Sequence, residues 1–131
     1  MSITLGQRQC EFTHALALLI IHAASKGLHV KIQELNRTIQ TQKEYVAGGV
    51  SKTLDSRHLD KLAADIYIYD LETKAPTANK ELYRGLAEYW ESLGGRAGFR
   101  FGLEHLTKTE QNAKIGWDPY HFEFVKISVT S

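Results

Sequence analysis

The sequence is poor in the features that mark several classes of protein. It has one cysteine, Cys10, and two prolines among 131 residues. A single cysteine cannot form an internal disulfide, which excludes a disulfide-stapled framework. Sixteen basic and fifteen acidic residues leave a formal net charge of only +1. Because no large field of one sign is available to attract polyanions, we expect no nucleic-acid partner.

The chain also lacks an apolar run long enough to span a bilayer, so we expect no stable membrane insertion. The best candidate, residues 15–25, is short, is interrupted by His22, and follows Glu11 rather than a cluster of positive charge. These features favour a buried helix over a cleaved signal peptide, and without an export signal we expect synthesis and folding in the cytoplasm. The expected buried face of this helix consists of Phe12, Leu16, Leu19, Ile20 and Ala23.

What is present is an ordinary globular composition, with 43% hydrophobic and 24% charged residues. At this length one core usually serves one domain, so we expect a single domain over residues 1–131, and a monomer.

Alternating apolar and polar residues predict a strand over 28–35, and strands are also predicted over 63–69 and 122–129. Helical spacing predicts helices over 38–46 and 80–93. Strands gathered with helices to one side define an α+β class.

The second of these helices has a clear apolar face and a clear end. Gly94 and Gly95 follow it and are expected to stop it. The segment from there to Trp117 is rich in glycine and polar residues, which predicts a long and partly irregular connection. The expected apolar face of the helix consists of Leu82, Leu86, Tyr89, Trp90 and Leu93.

Among six histidines, His58 and His121 stand beside carboxylates in loop or strand-edge contexts. His58 precedes Asp65 by seven residues, and Asp118 precedes His121 by three. Two imidazoles and one carboxylate leave the fourth zinc position open for water, which is the ligand count of a catalytic site. Each residue alone has a plainer interpretation: a surface histidine, a strand-edge charge, or, for Asp118-Pro119, the start of a turn.

The two segments that carry these residues resemble a known family. Residues 56–65, SRHLDKLAAD, and residues 118–123, DPYHFE, are similar to the paired signatures of zinc D-Ala-D-Ala carboxypeptidases and phage L-alanyl-D-glutamate endopeptidases. Residues 88–95 resemble the helix end that precedes the last histidine loop of that family. The resemblance covers about residues 35 to 125. Its upstream part rests on Arg37, Thr38, Gln42, Gly49 and Ser51.

The resemblance implies a Hedgehog/DD-peptidase-like fold, in which an antiparallel sheet has helices packed on one side. It also implies that Zn²⁺ is bound by His58, Asp65 and His121. Asp118 would be the general base, a role suited to a carboxylate beside a metal-bound water.

The remaining implied site residues lie upstream of the metal ligands. Arg37 would stabilise the developing oxyanion, for which a permanent cation with a planar donor fork is suited. Ser56 and Gln42 would contact the substrate.

The implied function is hydrolysis of the stem peptide of bacterial peptidoglycan. The Arg-Thr and Gly-Gly segments favour a phage endolysin that cuts L-Ala-D-Glu and stays in the host cytoplasm until the membrane is permeabilised. A D-Ala-D-Ala carboxypeptidase, a non-catalytic zinc-binding recognition module, and a metal-free virion protein are the alternatives. Two departures from the family concern the substrate groove: Lys61 replaces a common glycine, and residues 96–98 replace a common Trp-Gly.

Overall fold

The structure is a computed structural model that describes residues 3–35, 43–44, 46–48, 61–125 and 129–130. Within these residues the strands and helices follow one another along the chain. They are β1 (Ile3–Thr4), α1 (Leu5–Ser25), β2 (His29–Glu34), β3 (Ala63–Asp70), β4 (Ala75–Pro76), α2 (Leu82–Ser92), β5 (Arg96–Ala97), a 3₁₀ turn (Gly98–Arg100), α3 (Lys108–Gln111), β6 (His121–Glu123) and β7 (Val129–Thr130).

Helix α1 confirms the buried helix predicted around residues 15–25 and begins ten residues earlier than that run. Thr4 starts it with a capping box, because its hydroxyl accepts from the Gln7 amide while the Gln7 side chain accepts from the Thr4 amide. Gly27 follows the helix with a φ of 75°, a left-handed conformation that favours glycine. Four of the five predicted face residues are buried, and Ile20 packs against the core at its edge.

The main sheet is antiparallel, in the order β2-β3-β6-β5, with β4 also paired to β3. Strand β3 is central and places alternate residues on opposite faces. Ala64, Ile66 and Ile68 face the core together with Phe122, while Asp65 stands on the other face. Helices α1 and α2 pack on the core side, which confirms the α+β class and the expected antiparallel sheet with helices on one side.

Trp90 of α2 lies at the centre of the core with no exposed surface. Its ring makes edge contacts with Phe12 of α1 at 5.7 Å and with Phe122 of β6 at 6.0 Å, the preferred geometry for aromatic pairs. Gly95 is required here, because a Cβ at this position would lie 2.1 Å from the indole nitrogen of Trp90. Gly94, with a φ of 91°, ends the helix as predicted.

Several details differ from the prediction. Leu82 is 40% exposed and Tyr83 is buried instead, so the buried face of α2 consists of Tyr83, Leu86, Ala87 and Trp90. In β2, Ile32 is 47% exposed, and the pairing with β3 is irregular between Ile32 and Glu34. The predicted strand over 122–129 is not continuous, because β6 ends at Glu123 and β7 pairs in parallel with β1.

The helix predicted over residues 38–46 falls largely outside the described residues. No helix among the described residues is both long and apolar enough to cross a membrane.

Candidate metal centre

The centre of the site is a cross-strand pair on the face of the sheet opposite the core. Asp65 on β3 and His121 on β6 are directly opposite in the antiparallel register. Opposite residues in such a pair have their Cβ atoms about 5 Å apart, so their side chains meet. His121 Nδ1 lies 3.1 Å from Asp65 Oδ1. The backbone register therefore brings together two residues that are 56 positions apart in the chain.

Asp118 joins this pair from the turn that leads into β6. The His121 amide donates to the Asp118 carbonyl at 3.2 Å, so the predicted Asp-Pro turn is present. The Asp118 side chain has a second role, because its Oδ2 lies 4.0 Å from His121 Nδ1. Turn formation and a place in the site are thus compatible, although the sequence alone left them as alternatives.

Gly98 makes this turn possible. The Asp118 amide donates to the Gly98 carbonyl at 3.3 Å, which ties the turn to the 3₁₀ segment. A Cβ at Gly98 would lie 2.0 Å from the Asp118 carbonyl oxygen and 2.9 Å from the His121 Cβ. Any larger residue would displace the turn, so Gly98 is a steric requirement of the site.

The donor set of Asp65, Asp118 and His121 fits a divalent metal ion. One ligand atom from each residue lies within 4.8 Å of the others. In tetrahedral zinc sites with bonds near 2.1 Å, neighbouring ligand atoms are roughly 3.4 Å apart. The 3.1 Å separation between Asp65 and His121 is close to that value, and Asp118 lies somewhat further away. Imidazole nitrogen and carboxylate oxygen suit zinc and also other divalent ions.

Glu123 completes the surroundings of His121, a contact that the sequence did not predict. Its Oε1 lies 2.7 Å from His121 Nε2, and both side chains are 9% exposed. The signal that identifies it is the two-residue spacing: in a strand, residues 121 and 123 point to the same face. Arg96 approaches the other carboxylate oxygen at 3.6 Å.

The electrostatics of the pocket follow from this arrangement. Burial lowers the pKa of His121, but the hydrogen bonds to Asp65 and Glu123 more than offset it and raise the pKa to about 9. Without a metal, the imidazolium form therefore predominates at neutral pH, with both ring nitrogens donating to carboxylates. A metal at Nδ1 must displace one of these protons.

Aromatic side chains border the metal-binding group. The Phe101 ring lies 5.4 Å from the His121 ring and 5.1 Å from Trp117, which is 60% exposed. Tyr67, which follows Asp65 by two residues on β3, contacts Tyr120 edge-on at 4.7 Å. Burial, followed by the negative charge of Asp65, raises the pKa of Tyr67. Phe101 is therefore a ring neighbour of His121, and Tyr67 is an electrostatic neighbour of Asp65.

Lys61 and Arg96 stand at the two positions where the sequence differs from the family signatures. Lys61 has a φ of 58°, the left-handed conformation for which glycine is the usual residue. Arg96 forms a two-bond pair with Glu104, at 2.9 and 2.6 Å, and its guanidinium lies over the Phe101 ring. Neither residue displaces a member of the metal-binding group.

Of the predicted site residues, the structure brings together Asp65, Asp118 and His121. The other predicted positions lie outside the described residues, and their roles stay predictions. They are the metal ligand His58, the oxyanion-stabilising Arg37, and the substrate contacts Ser56 and Gln42.

Solved structures of peptidases share the fold of this chain. Neither a protein-family model nor a curated protein sequence matches the chain. Among solved structures, it is similar to the L-Ala D-Glu endopeptidase ChiX of Serratia marcescens, at 20% identity and a TM-score of 0.62, covering 87% of this chain and 77% of ChiX.

Two structures of a vancomycin-resistance enzyme are also similar. The D,D-pentapeptidase VanY, solved as an E175A mutant with Zn(II), has 22% identity and a TM-score of 0.54, over 88% of this chain and 71% of VanY. VanYB with D-alanine-D-alanine has 23% identity and a TM-score of 0.56, over 88% of this chain and 70% of VanYB. The expected DD-peptidase-like fold is thereby confirmed.

Proposed function

We propose that this chain is a zinc-dependent peptidase that hydrolyses the stem peptide of bacterial peptidoglycan. The observation that carries the proposal is the convergence of Asp65, Asp118 and His121 on one face of the sheet. The shared fold supports it, because the similar proteins ChiX and VanY are peptidases and one VanY structure holds Zn(II).

Within this proposal the zinc ligands are His58, Asp65 and His121. Bound zinc would lower the pKa of a coordinated water toward neutrality and polarise the carbonyl of the scissile bond. Asp118 is assigned the proton transfer, since its Oδ2 lies 4.0 Å from His121 Nδ1, further away than Asp65 Oδ1 at 3.1 Å. It takes the proton of the attacking water and delivers it to the leaving amine. Arg37 is assigned the developing oxyanion, and Ser56 and Gln42 the substrate.

An Asp118→Asn variant tests this assignment and separates an enzyme from a zinc-binding recognition module. We expect turnover of purified peptidoglycan to fall by about 10²- to 10⁴-fold, as for loss of a general base, with zinc stoichiometry unchanged. Glu88→Gln, on the exposed side of α2, is the matched control and should leave both unchanged. Unchanged turnover in Asp118→Asn would remove Asp118 from the mechanism, and loss of zinc would make it a ligand instead.

For the scissile bond, we propose L-Ala-D-Glu, which makes the enzyme an endopeptidase. The resemblance of the Arg37-Thr38 and Gly94-Gly95 segments to phage enzymes supports it, as does the similarity to ChiX. Cleavage of D-Ala-D-Ala is the second candidate, favoured by the similarity to VanYB bound to D-alanine-D-alanine.

Digestion of purified cell wall followed by mass spectrometry distinguishes the two bonds. An endopeptidase creates new D-Glu amino termini and releases no D-Ala. A carboxypeptidase releases free D-Ala and leaves the L-Ala-D-Glu bond intact. Release of D-Ala alone would therefore overturn the endopeptidase assignment while preserving the proposed peptidase.

We further propose that the protein is a monomeric phage endolysin held in the host cytoplasm until another protein permeabilises the membrane. The phage-like segments support this role. Expression in a bacterial host should cause lysis only when a pore-forming membrane protein is co-expressed, and the protein should fractionate with the cytoplasm before lysis. Lysis without the pore-forming protein would contradict the proposal. Light scattering after size exclusion tests the monomer.

A further inference from the structure

We propose that Glu123 is a positioning residue that fixes the orientation and tautomer of His121 for metal binding. This inference rests on the proposed metal site and adds a residue to it. The primary observation is the contact between His121 Nε2 and Glu123 Oε1 at 2.7 Å, with both side chains 9% exposed. A contact this short between two buried groups restricts rotation of the imidazole ring.

The direction of the contact determines which nitrogen faces the metal position. A neutral imidazole has one N–H and one lone pair, and a carboxylate can only accept. If Glu123 accepts the Nε2–H, the lone pair stays on Nδ1. That atom is the one that lies 3.1 Å from Asp65 and 4.0 Å from Asp118. Glu123 therefore directs the ligand atom of His121 toward the other members of the group.

Glu123 is itself held from two sides. Its backbone carbonyl accepts a hydrogen bond from the indole nitrogen of Trp90 at 3.0 Å, which ties β6 to the core. Its Oε2 faces Arg96, at 3.6 Å, on the neighbouring strand β5. Arg96 is anchored in turn by Glu104. The carboxylate therefore has little freedom to leave His121.

The register leaves space for this arrangement. Ala63 on β3 is directly opposite Glu123, and Arg96 is opposite it on the other side. The small side chain of Ala63 leaves room above the sheet for the glutamate to reach along its own strand to His121. A carboxylate that orients a metal-binding histidine typically contributes 10- to 100-fold to metal affinity.

The test is zinc affinity, measured by competition with a chromophoric chelator, in the full chain and its Glu123 variants. Glu123→Gln keeps the size and can still accept through its amide oxygen, so we expect affinity about 10-fold weaker. Glu123→Ala removes the acceptor, and we expect a loss of about 100-fold. Glu88→Gln is the matched control, and we expect unchanged affinity because Glu88 lies on the exposed side of α2.

Long-range proton–nitrogen NMR of the imidazoles supplies a readout that a purely structural role would not change. With zinc bound, His121 should show the Nε2–H tautomer, and its signals are identified by their loss in His121→Gln. Thermal unfolding of each metal-free variant shows that it is folded. If Glu123→Ala does not fold, the comparison rests on Glu123→Gln.

The outcomes separate this inference from the proposed function. Zinc bound by the unaltered protein with equal affinity in the folded Glu123 variants, or bound through Nε2, would overturn the role of Glu123 alone. Absence of zinc binding by the unaltered protein would overturn the proposed metal function, and this inference with it.

Discussion

The two faces of strands β3 and β6 differ in what they contribute. On one face, Ile66 and Phe122 are almost completely buried against the helices. On the other, Asp65 and His121 meet as a polar pair. Side chains alternate along a strand, so consecutive residues point to opposite faces. One residue packs in the core and stabilises the fold, and the next belongs to the candidate site. Packing on the core face therefore stabilises the β3–β6 register that brings the site residues together. Substitutions on the core face should mainly change the free energy of unfolding, and those on the site face should mainly change zinc binding.

The largest expected effect on stability is at Phe122. Phe122→Ala should lower the free energy of unfolding by about 3–5 kcal/mol, since it leaves a cavity beside Trp90 and Ala97. Denaturant titration of the metal-free protein measures the change. Val125→Ala is the control, because this residue is 38% exposed and should cost less than about 1 kcal/mol. Equal costs at the two positions would contradict the assignment of Phe122 to the core face.

A substitution at Gly98 tests the site face, because a larger side chain there would displace the Asp118 turn. Gly98→Ala places a methyl group against the Asp118 carbonyl, so we expect about 1–3 kcal/mol of destabilisation together with weaker zinc binding. Gly85 provides the control, since a Cβ there meets no atom within 4 Å. Gly85→Ala lies in helix α2 and should stabilise the protein by about 0.5–1 kcal/mol. Full zinc affinity in Gly98→Ala would show that the turn tolerates displacement.

Tyr83 supports β3 from the core side. Its hydroxyl accepts a hydrogen bond from the Ile68 amide at 2.7 Å, so Tyr83→Phe should cost roughly 1–2 kcal/mol by leaving a buried N–H unpaired. Burial raises the pKa of Tyr83 to about 12. The unfolded chain therefore loses this proton first, and stability should fall as pH rises from about 10 to 12.

The variant supplies the test of that pH dependence. Tyr83→Phe should show a smaller loss of stability over the same alkaline range, measured by denaturant titration at each pH. Tyr69→Phe, which alters a half-buried tyrosine of the same strand, is the control. An alkaline dependence that is identical in the unaltered protein and in Tyr83→Phe would assign it to other groups.

The smallest expected effect is at Lys61, which leads into β3. Lys61→Gly should raise the free energy of unfolding by about 0.5–1 kcal/mol, because glycine adopts the observed φ of 58° without strain. Lys26→Gly, at the end of α1 with a negative φ, should not stabilise the protein. A destabilised Lys61→Gly would indicate that the lysine side chain contributes more than its backbone conformation costs.

The sequence predicted those parts of the fold that depend on local pattern. Helix α1, strand β3 and the end of α2 at Gly94 followed from spacing and from glycine. The break after Glu123 did not, because it depends on which strands pair: β6 lies between β3 and β5, whereas β7 pairs with β1 at the other end of the chain.

The site was predictable to the extent that its motifs are local. Asp118 and His121 are three residues apart, and Asp65 follows His58 by seven; the family resemblance supplied their roles. Their convergence requires the β3–β6 register, which no local pattern specifies. Glu123 was missed because its role depends on the ring orientation of His121. Gly98 was missed because its close approach to Asp118 is visible only in three dimensions.

The most direct test of the central claim is the metal content of the purified protein by elemental analysis, repeated for His58→Ala and His121→Ala. His14→Ala, an exposed histidine on α1, is the matched control. We predict about one zinc per chain in the unaltered protein and the control, and its loss in both ligand variants. An unaltered protein that takes up no metal even after reconstitution would contradict it.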